Sequence, residues 1–287
     1  MSRYSPETVV FSGPLISADD ALRVLSKATV LDCRAGPGAR DQWLLGHAPG
    51  ARFVDLERDL SEVRDPKDGG RHPLPEWTVW LERVGSWGIE PSTPVLLYDA
   101  SNSGMAAARA WWMFRAIGHQ PLAVIDGGWD ALRRAGVSAE AGDVLVEGRG
   151  TYRTELSRWN TVGASQVESM RADAGWTLID ARAPERYQGL VEPIDPVAGH
   201  IPGAVNLYWQ RSLHEDGSFL PNEVLREQLA STIGDTPPER LVCYCGSGVT
   251  ACHVLLAMEA AGMRGAQLYV GSWSEWCRTR SDAISPP

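Results

Sequence analysis

No uninterrupted apolar stretch in this chain approaches the ~20 residues that a membrane-spanning helix needs, so no membrane partner is expected. Positive charge is scarce as well. Lys and Arg number 27 against 36 Asp and Glu, a formal net charge of −9. That sign disfavours nucleic acid, whose binding depends on counterion release at a basic surface. It leaves room for a small anionic substrate held by local arginines. Cysteine is sparse and odd in number, five at irregular spacing, which does not resemble a disulfide framework. The opening Met1-Ser2-Arg3-Tyr4-Ser5-Pro6 has no apolar core of a secretory signal. These absences lead us to expect a soluble, cytoplasmic protein whose thiols are free. At 287 residues, 44% of them hydrophobic and 22% charged, the chain suffices for two globular domains, each with its own core.

What is present is a repeat. Thr29-Val-Leu-Asp-Cys-Arg34 is echoed by Thr177-Leu-Ile-Asp-Ala-Arg182, and Gly46-His-Ala-Pro-Gly-Ala51 by Gly199-His-Ile-Pro-Gly-Ala204. Val95-Leu-Leu-Tyr-Asp99 is echoed by Leu241-Val-Cys-Tyr-Cys245, and Ile125-Asp-Gly-Gly-Trp129 by Tyr269-Val-Gly-Ser-Trp273. Each pair lies about 150 residues apart and in the same order, far too long a period for a solenoid, so one domain occurs twice.

Within the first copy, short apolar runs alternate with helical patterns. Strands are expected at 29–31, 95–98 and 122–125, and helices at 75–87, 106–117 and 129–135. Alternation of this kind implies crossover connections and an α/β fold: two tandem units, each a mainly parallel sheet covered by helices on both faces. The weakly patterned segment 141–161, with Gly142, Gly148 and Gly150, reads as a linker between units at 1–140 and 162–287. Asp32 and Asp180, each two residues before an arginine, read as strand-end partners of Arg34 and Arg182.

Chemistry concentrates at one point. The apolar run 241–244 enters Cys245-Gly246-Ser247-Gly248-Val249-Thr250, and a helical pattern follows over 251–261. A thiolate at a strand-to-helix turn is stabilised by free backbone N–H groups and the positive end of the helix dipole. Gly246 and Gly248 allow the amides to turn toward a ligand. Cys243 and Cys252 read as core residues. Gly246 to Ala251 formally fits a dinucleotide fingerprint, but the strand expected at 267–270 ends without the carboxylate that holds the ribose. A cysteine phosphatase loop would need arginine where Ala251 stands, to fork a phosphate. Cys243, Cys245, Cys252 and His253 lack zinc-module spacing. Neither metal nor cofactor is expected.

The doubled unit, the paired Gly-His-x-Pro-Gly-Ala motifs and the Cys245–Thr250 loop resemble tandem-domain rhodanese sulfurtransferases. Arg109-Ala-Trp-Trp-Met-Phe-Arg115, Asp126-Gly-Gly128 and Gly271-Ser-Trp-Ser-Glu-Trp276 extend the likeness, which runs from about Leu15 to Arg278. The resemblance implies a first unit without activity, with Asp99 in the nucleophile's place. It implies a persulfide on Cys245, loaded from a small anionic donor and emptied to cyanide, a thiol or a thioredoxin-like dithiol. A non-catalytic binding or sulfur-relay module, loaded by a protein partner, is the alternative within the same family.

The uncharged Gly246-Ser247 resembles the 3-mercaptopyruvate branch, since the thiosulfate branch typically has Arg-Lys there. Arg186 matches the first of two donor-binding arginines in the mercaptopyruvate branch. The segment where the second would fall, 190–197, holds none, leaving the choice of donor open. Ser247 reads equally as a donor ligand or proton relay and as a small loop residue. The family also places an acid and a histidine from the first unit near the site. His47 and Asp41 are candidates, though His200 repeats His47 and a role in both turns fits equally. Trp273 and Trp276 are possible pocket linings.

Overall fold

The computed structural model describes residues 9–100, 105–146, 150–156 and 158–280. The opening hexapeptide and parts of the 141–161 segment lie outside the described residues.

In the first unit the order is β1 (Leu15–Ile16), α1 (Ala18–Val24), β2 (Thr29–Asp32), α2 (Ala39–Leu45), β3 (Arg52–Phe53), α3 (Trp77–Ser86), β4 (Val95–Tyr98), α4 (Met105–Ala116), β5 (Leu122–Ile125) and α5 (Gly128–Arg134). The second unit runs α6 (Ala164–Arg171), β6 (Thr177–Asp180), α7 (Pro184–Tyr187), β7 (Val205–Asn206), α8 (Asn222–Ile233), β8 (Leu241–Tyr244), α9 (Thr250–Ala260), β9 (Gln267–Leu268) and α10 (Ser272–Thr279). The sheets are ordered β1-β5-β4-β2-β3 and β7-β6-β8-β9, and the pairings within both are parallel. The place of β1 in the second sheet is taken by a single parallel bridge, Val162 to Tyr269. Central strands β4 and β8 are buried along their whole length, which is why they read as unbroken apolar runs.

Alternation along β8 divides its side chains between two cores. Val242 and Tyr244 face outward, into a cluster with Val167, Ile201, Trp273 and Trp276. Leu241 and Cys243 face inward, into a cluster that also takes in Leu31, Trp80, Leu97 and Phe114 of the first unit. An outer cluster around Leu96, Tyr98 and Leu132 covers the far side of the first sheet. The expectation of a separate core for each unit is therefore corrected. Each sheet has its own outer core, but the inner faces merge where α4 packs on α9. An Ala-rich α4, with Ala106, Ala107, Ala108 and Ala110 all buried, suits close approach of two helices. The connecting segment is laid against this seam. Trp159 meets Trp77 edge-on at 5.0 Å and stacks on Trp112 at 6.0 Å, and its Nε1 donates to Pro75 O at 2.9 Å.

The repeated motifs make the same contacts twice. Arg34 Nη2 donates to Asp32 Oδ2 at 2.6 Å and to Gly46 O at 3.0 Å. Arg182 Nη2 donates to Asp180 Oδ2 and to Gly199 O, both at 2.7 Å. Tyr98 and Tyr244 accept from Ala48 N (2.9 Å) and Ile201 N (3.2 Å). The strand-end carboxylates thus tie each sheet to its Gly-His turn.

Candidate active site

Cys245 follows β8 directly, at the carboxyl end of a strand flanked on both sides, and the loop 245–249 leads into α9. Such a position is where parallel sheets present ligands. Cys245 is 2% exposed. Gly248 N–H points at Cys245 Sγ from 3.2 Å. Gly248 adopts φ +77°, and a Cβ there would sit 2.6 Å from Val270 O, so only glycine fits.

The start of α10 fastens the loop from the other side. Ser272 Oγ accepts from Cys245 N at 3.1 Å and donates to Tyr269 O at 2.9 Å. Trp273 N donates to Cys245 O and Ser274 N to Gly246 O, each at 3.0 Å. Ser272 holds φ +53°, the left-handed region that Gly128 occupies in the first unit at +56°. The two hydroxyl hydrogen bonds offset that strain.

Residues of the first unit complete the site. His72 Nδ1 lies 2.6 Å from Ser247 Oγ, and its Nε2 lies 2.8 Å from Glu57 Oε1. Because a carboxylate only accepts, Nε2–H donates to Glu57 and Nδ1 accepts from the serine hydroxyl. Burial lowers the His72 pKa, with Glu57 pulling the other way. A neutral imidazole able to take a proton from Ser247 results. Arg71 donates from its backbone N to Ser274 Oγ at 3.0 Å and pairs with Asp195. Its Nη2 lies 3.0 Å from where a Cβ on Gly246 would stand, and the Arg186 nitrogens lie 3.5 and 3.7 Å from the same point. Two guanidinium groups, one from each unit, therefore converge over the cysteine loop. Arg186 is held by Glu192 Oε1 at 2.6 Å, and Arg278 joins Asp195 at 2.9 Å.

Cys245, Ser247 and Arg186 are thus brought together, with Gly246, Gly248, Val249 and Thr250 forming the turn. His47 and Asp41 are not brought there. His47 is buried on Trp43, stacked at 4.5 Å with Nδ1 on Trp43 O at 2.8 Å, and its backbone pairs with Glu140. His200 does the same on Tyr187, at 3.9 Å and 2.8 Å. Asp41 is exposed in the first turn of α2. Trp273 and Trp276 are fully buried in the outer core, so neither lines the site. The first-unit histidine at the site is His72. Sequence reasoning passed over it and Arg71, although Arg71-His72 stands after Gly69-Gly70 and has no counterpart in the second copy.

Asp99 follows β4 as Cys245 follows β8, buried, with its backbone oxygen accepting from Trp129 N at 3.0 Å. The segment before α8 reaches back across the junction, where Phe219 N donates to Asp126 Oδ1 at 2.8 Å. The two units therefore exchange segments reciprocally, and Cys245 stands at one of the two equivalent positions.

Doubled parallel units with a cysteine at one strand-to-helix turn define a tandem α/β protein with a single loop thiol between its units. Residues 17–135 and 163–279 each match the Rhodanese-like domain. The chain is 40% identical over 273 residues to a Pseudomonas aeruginosa protein called "Probable 3-mercaptopyruvate sulfurtransferase", covering 92% of this chain and 95% of that one. It is 35% identical to the thiosulfate sulfurtransferase of Bos taurus, covering 83% and 80%. The solved 3-mercaptopyruvate sulfurtransferase from Leishmania major superposes with a TM-score of 0.84 at 26% identity, over 95% of this chain and 76% of that one. The chain belongs to the rhodanese family, as a tandem-domain sulfurtransferase. Among the described residues, no helix is long and apolar enough to cross a membrane.

Proposed function

We propose that the protein takes the sulfur of 3-mercaptopyruvate onto Cys245 and passes it to a thiophilic acceptor. The thiolate attacks the donor sulfur, an S–S bond forms, and the C–S bond breaks with its electron pair passing to the pyruvate enolate. The enolate takes up a proton, and pyruvate leaves. A second thiophile (cyanide, a small thiol or a thioredoxin-like dithiol) then attacks the outer sulfur and regenerates the Cys245 thiolate. One observation carries the choice of donor: the Ser247–His72–Glu57 chain stands beside the thiol, 2.6 and 2.8 Å per link. An enolate leaving group needs a proton, and this chain is placed to take the donor's S–H proton as the thiolate attacks and return it to the enolate. Loop amides, Gly248 N–H foremost, stabilise the sulfur anion.

Arg186 and Arg71 hold the donor carboxylate in this reading. Arg71 supplies from the first unit the second cation that segment 190–197 lacks. Thiosulfate is a second donor, favoured by that same extra guanidinium and by the likeness to the Bos taurus enzyme. Residues 1–140 then act as a unit without a nucleophile, 141–161 as the linker and 162–287 as the catalytic unit. A cytoplasmic location belongs to the same reading, supported by five cysteines that are all unpaired.

Purified enzyme is expected to turn over mercaptopyruvate with cyanide, and Cys245→Ser to abolish this. Arg186→Ala and Arg71→Ala should each raise KM for mercaptopyruvate by about ten- to a hundredfold, the cost of a charge-assisted hydrogen bond. Full turnover by the serine variant would overturn the reading.

A further inference from the structure

Arg109, in the middle of α4, is a fully buried cation that the reaction above does not use. Its guanidinium meets backbone carbonyls. Nε and Nη2 donate to Leu60 O at 3.4 and 3.3 Å, and Nη2 donates to His72 O at 3.0 Å. Nη1 crosses to the second unit and donates to Gly248 O at 3.2 Å. Among the described residues, no carboxylate pairs with it. The other arginines buried near strand ends, Arg34 and Arg182, each grip an aspartate. An arginine sealed from water without an anion is costly, so such a charge is retained where an anion forms only part of the time.

Sulfur surrounds it. Cys252 Sγ donates to the same Gly248 carbonyl at 3.2 Å, and the N–H of Gly248 is the group on Cys245 Sγ. Burial lowers the Arg109 pKa, and the thiols of Cys252 and Cys245 act against that lowering. Burial pushes the Cys252 thiol up to about 12, so Cys252 stays neutral at physiological pH. Cys243, deeper in the strand, is raised further by the same cause.

We propose that Arg109 is the counter-ion of Cys245, a positioning residue supplied by the unit that has no nucleophile. Its fixed charge stabilises the thiolate and then the persulfide anion, while its hydrogen bonds hold Gly248 and the His72 backbone in one register. The proposal rests on the reading of Cys245 as the nucleophile. It also gives the first unit a role in the chemistry, because docking of α4 on α9 brings the charge under the loop and arms the thiol. The other groups facing Cys245 are Arg71 and Arg186 above the loop, with Glu192, Asp195 and Arg278 behind them. His72 lies on Ser247 with Glu57 beyond, and Cys243 and Cys252 lie beneath.

The test is the pH dependence of Cys245 alkylation by iodoacetamide, read by mass spectrometry of the Cys245 peptide. Wild type, Arg109→Lys and Arg109→Gln are compared. Arg109→Lys should keep its midpoint near that of wild type. Arg109→Gln should move it upward by about one pH unit or more, a tenfold loss of thiolate below the midpoint. A second measurement needs no folded variant at position 109. The Arg109 side-chain N–H signal of wild type, from a group sealed from water, should titrate with the alkylation midpoint, and lose that titration in Cys245→Ser. A reactive Cys245 with one midpoint in all three proteins, or a flat Arg109 signal in wild type, would overturn the role of Arg109 alone. A Cys245 that does not react in wild type would overturn the functional reading with it.

Discussion

A side chain at position 248 would have nowhere to go: its Cβ would stand 2.6 Å from Val270 O and 3.1 Å from Val270 Cα, on a backbone at φ +77°. Gly248→Ala is therefore expected to cost about 1–2 kcal/mol in backbone strain before any clash. The N–H on Cys245 Sγ should be displaced as well, so kcat/KM should fall further than the thermal midpoint suggests. His72 separates the donors. His72→Ala should lower kcat for mercaptopyruvate by about 10²–10⁴, the usual range for losing a proton relay. Thiosulfate, whose sulfite leaves as a stable anion, should be affected much less; equal losses in steady-state rates with the two donors would contradict the relay. That Cys245, Ser247 and Arg186 would meet was legible, the first two from one loop motif and Arg186 from the resemblance. His72 and Arg71 were not. His72 lies 175 residues from the serine it contacts, and His47, in the recognisable motif, stood as a candidate alongside a structural role in its turn.

At the scale of elements, strand ends are tied down by buried ion pairs. Asp32 accepts from Arg34 Nε and Nη2 and from its backbone N, and neither side chain reaches water to any extent. Asp32→Ala leaves Arg34 buried without a carboxylate, beside Gly46 O and the Tyr98 hydroxyl, and should cost about 3–5 kcal/mol in urea unfolding. The equivalent change at Asp180 should cost less, because Arg182 also pairs with Glu192 at 3.2 Å and lies over Trp273 at 4.8 Å. Strands at 29–31, 95–98 and 122–125 were readable from short apolar runs, with β2 running one residue further to Asp32, and α4 was readable from its helical pattern. The two-residue strands β1, β3 and β7 left too short a period to read, β9 pairs over 267–268 of the 267–270 expected, and α3 begins at Trp77 because Pro75 and the extended Glu76 precede it. The left-handed Ser272 was also invisible, since only Gly128 in the same place of the other copy hints at it.

The whole molecule shares one inner core, so the two units should unfold together. Calorimetry is expected to show a single transition, and two separated transitions would contradict the merged core. Acid should weaken the fold for a second whole-molecule reason. Burial lowers the pKa of His119 to about 4 and of His253 to about 3, from an ordinary 6.5. Between those values the unfolded chain binds protons that the folded one refuses, so stability is full above pH 6.5 and falls as pH drops toward 4. The slope is about 1.4 kcal/mol per pH unit for each histidine. His253 is stacked on Phe219 at 4.6 Å with neither nitrogen hydrogen-bonded, so His253→Leu should flatten the acid limb without loss at pH 7. The doubled plan was legible in the repeat, whereas the merging of its inner faces depends on which helices meet, and no local pattern encodes that. The central claim, a sulfur carried on Cys245, is tested most directly by intact mass. Wild-type enzyme given mercaptopyruvate without acceptor should gain ~32 Da on the Cys245 peptide and lose it on adding cyanide. An enzyme that releases pyruvate while Cys245 keeps its unmodified mass at every time point would contradict it.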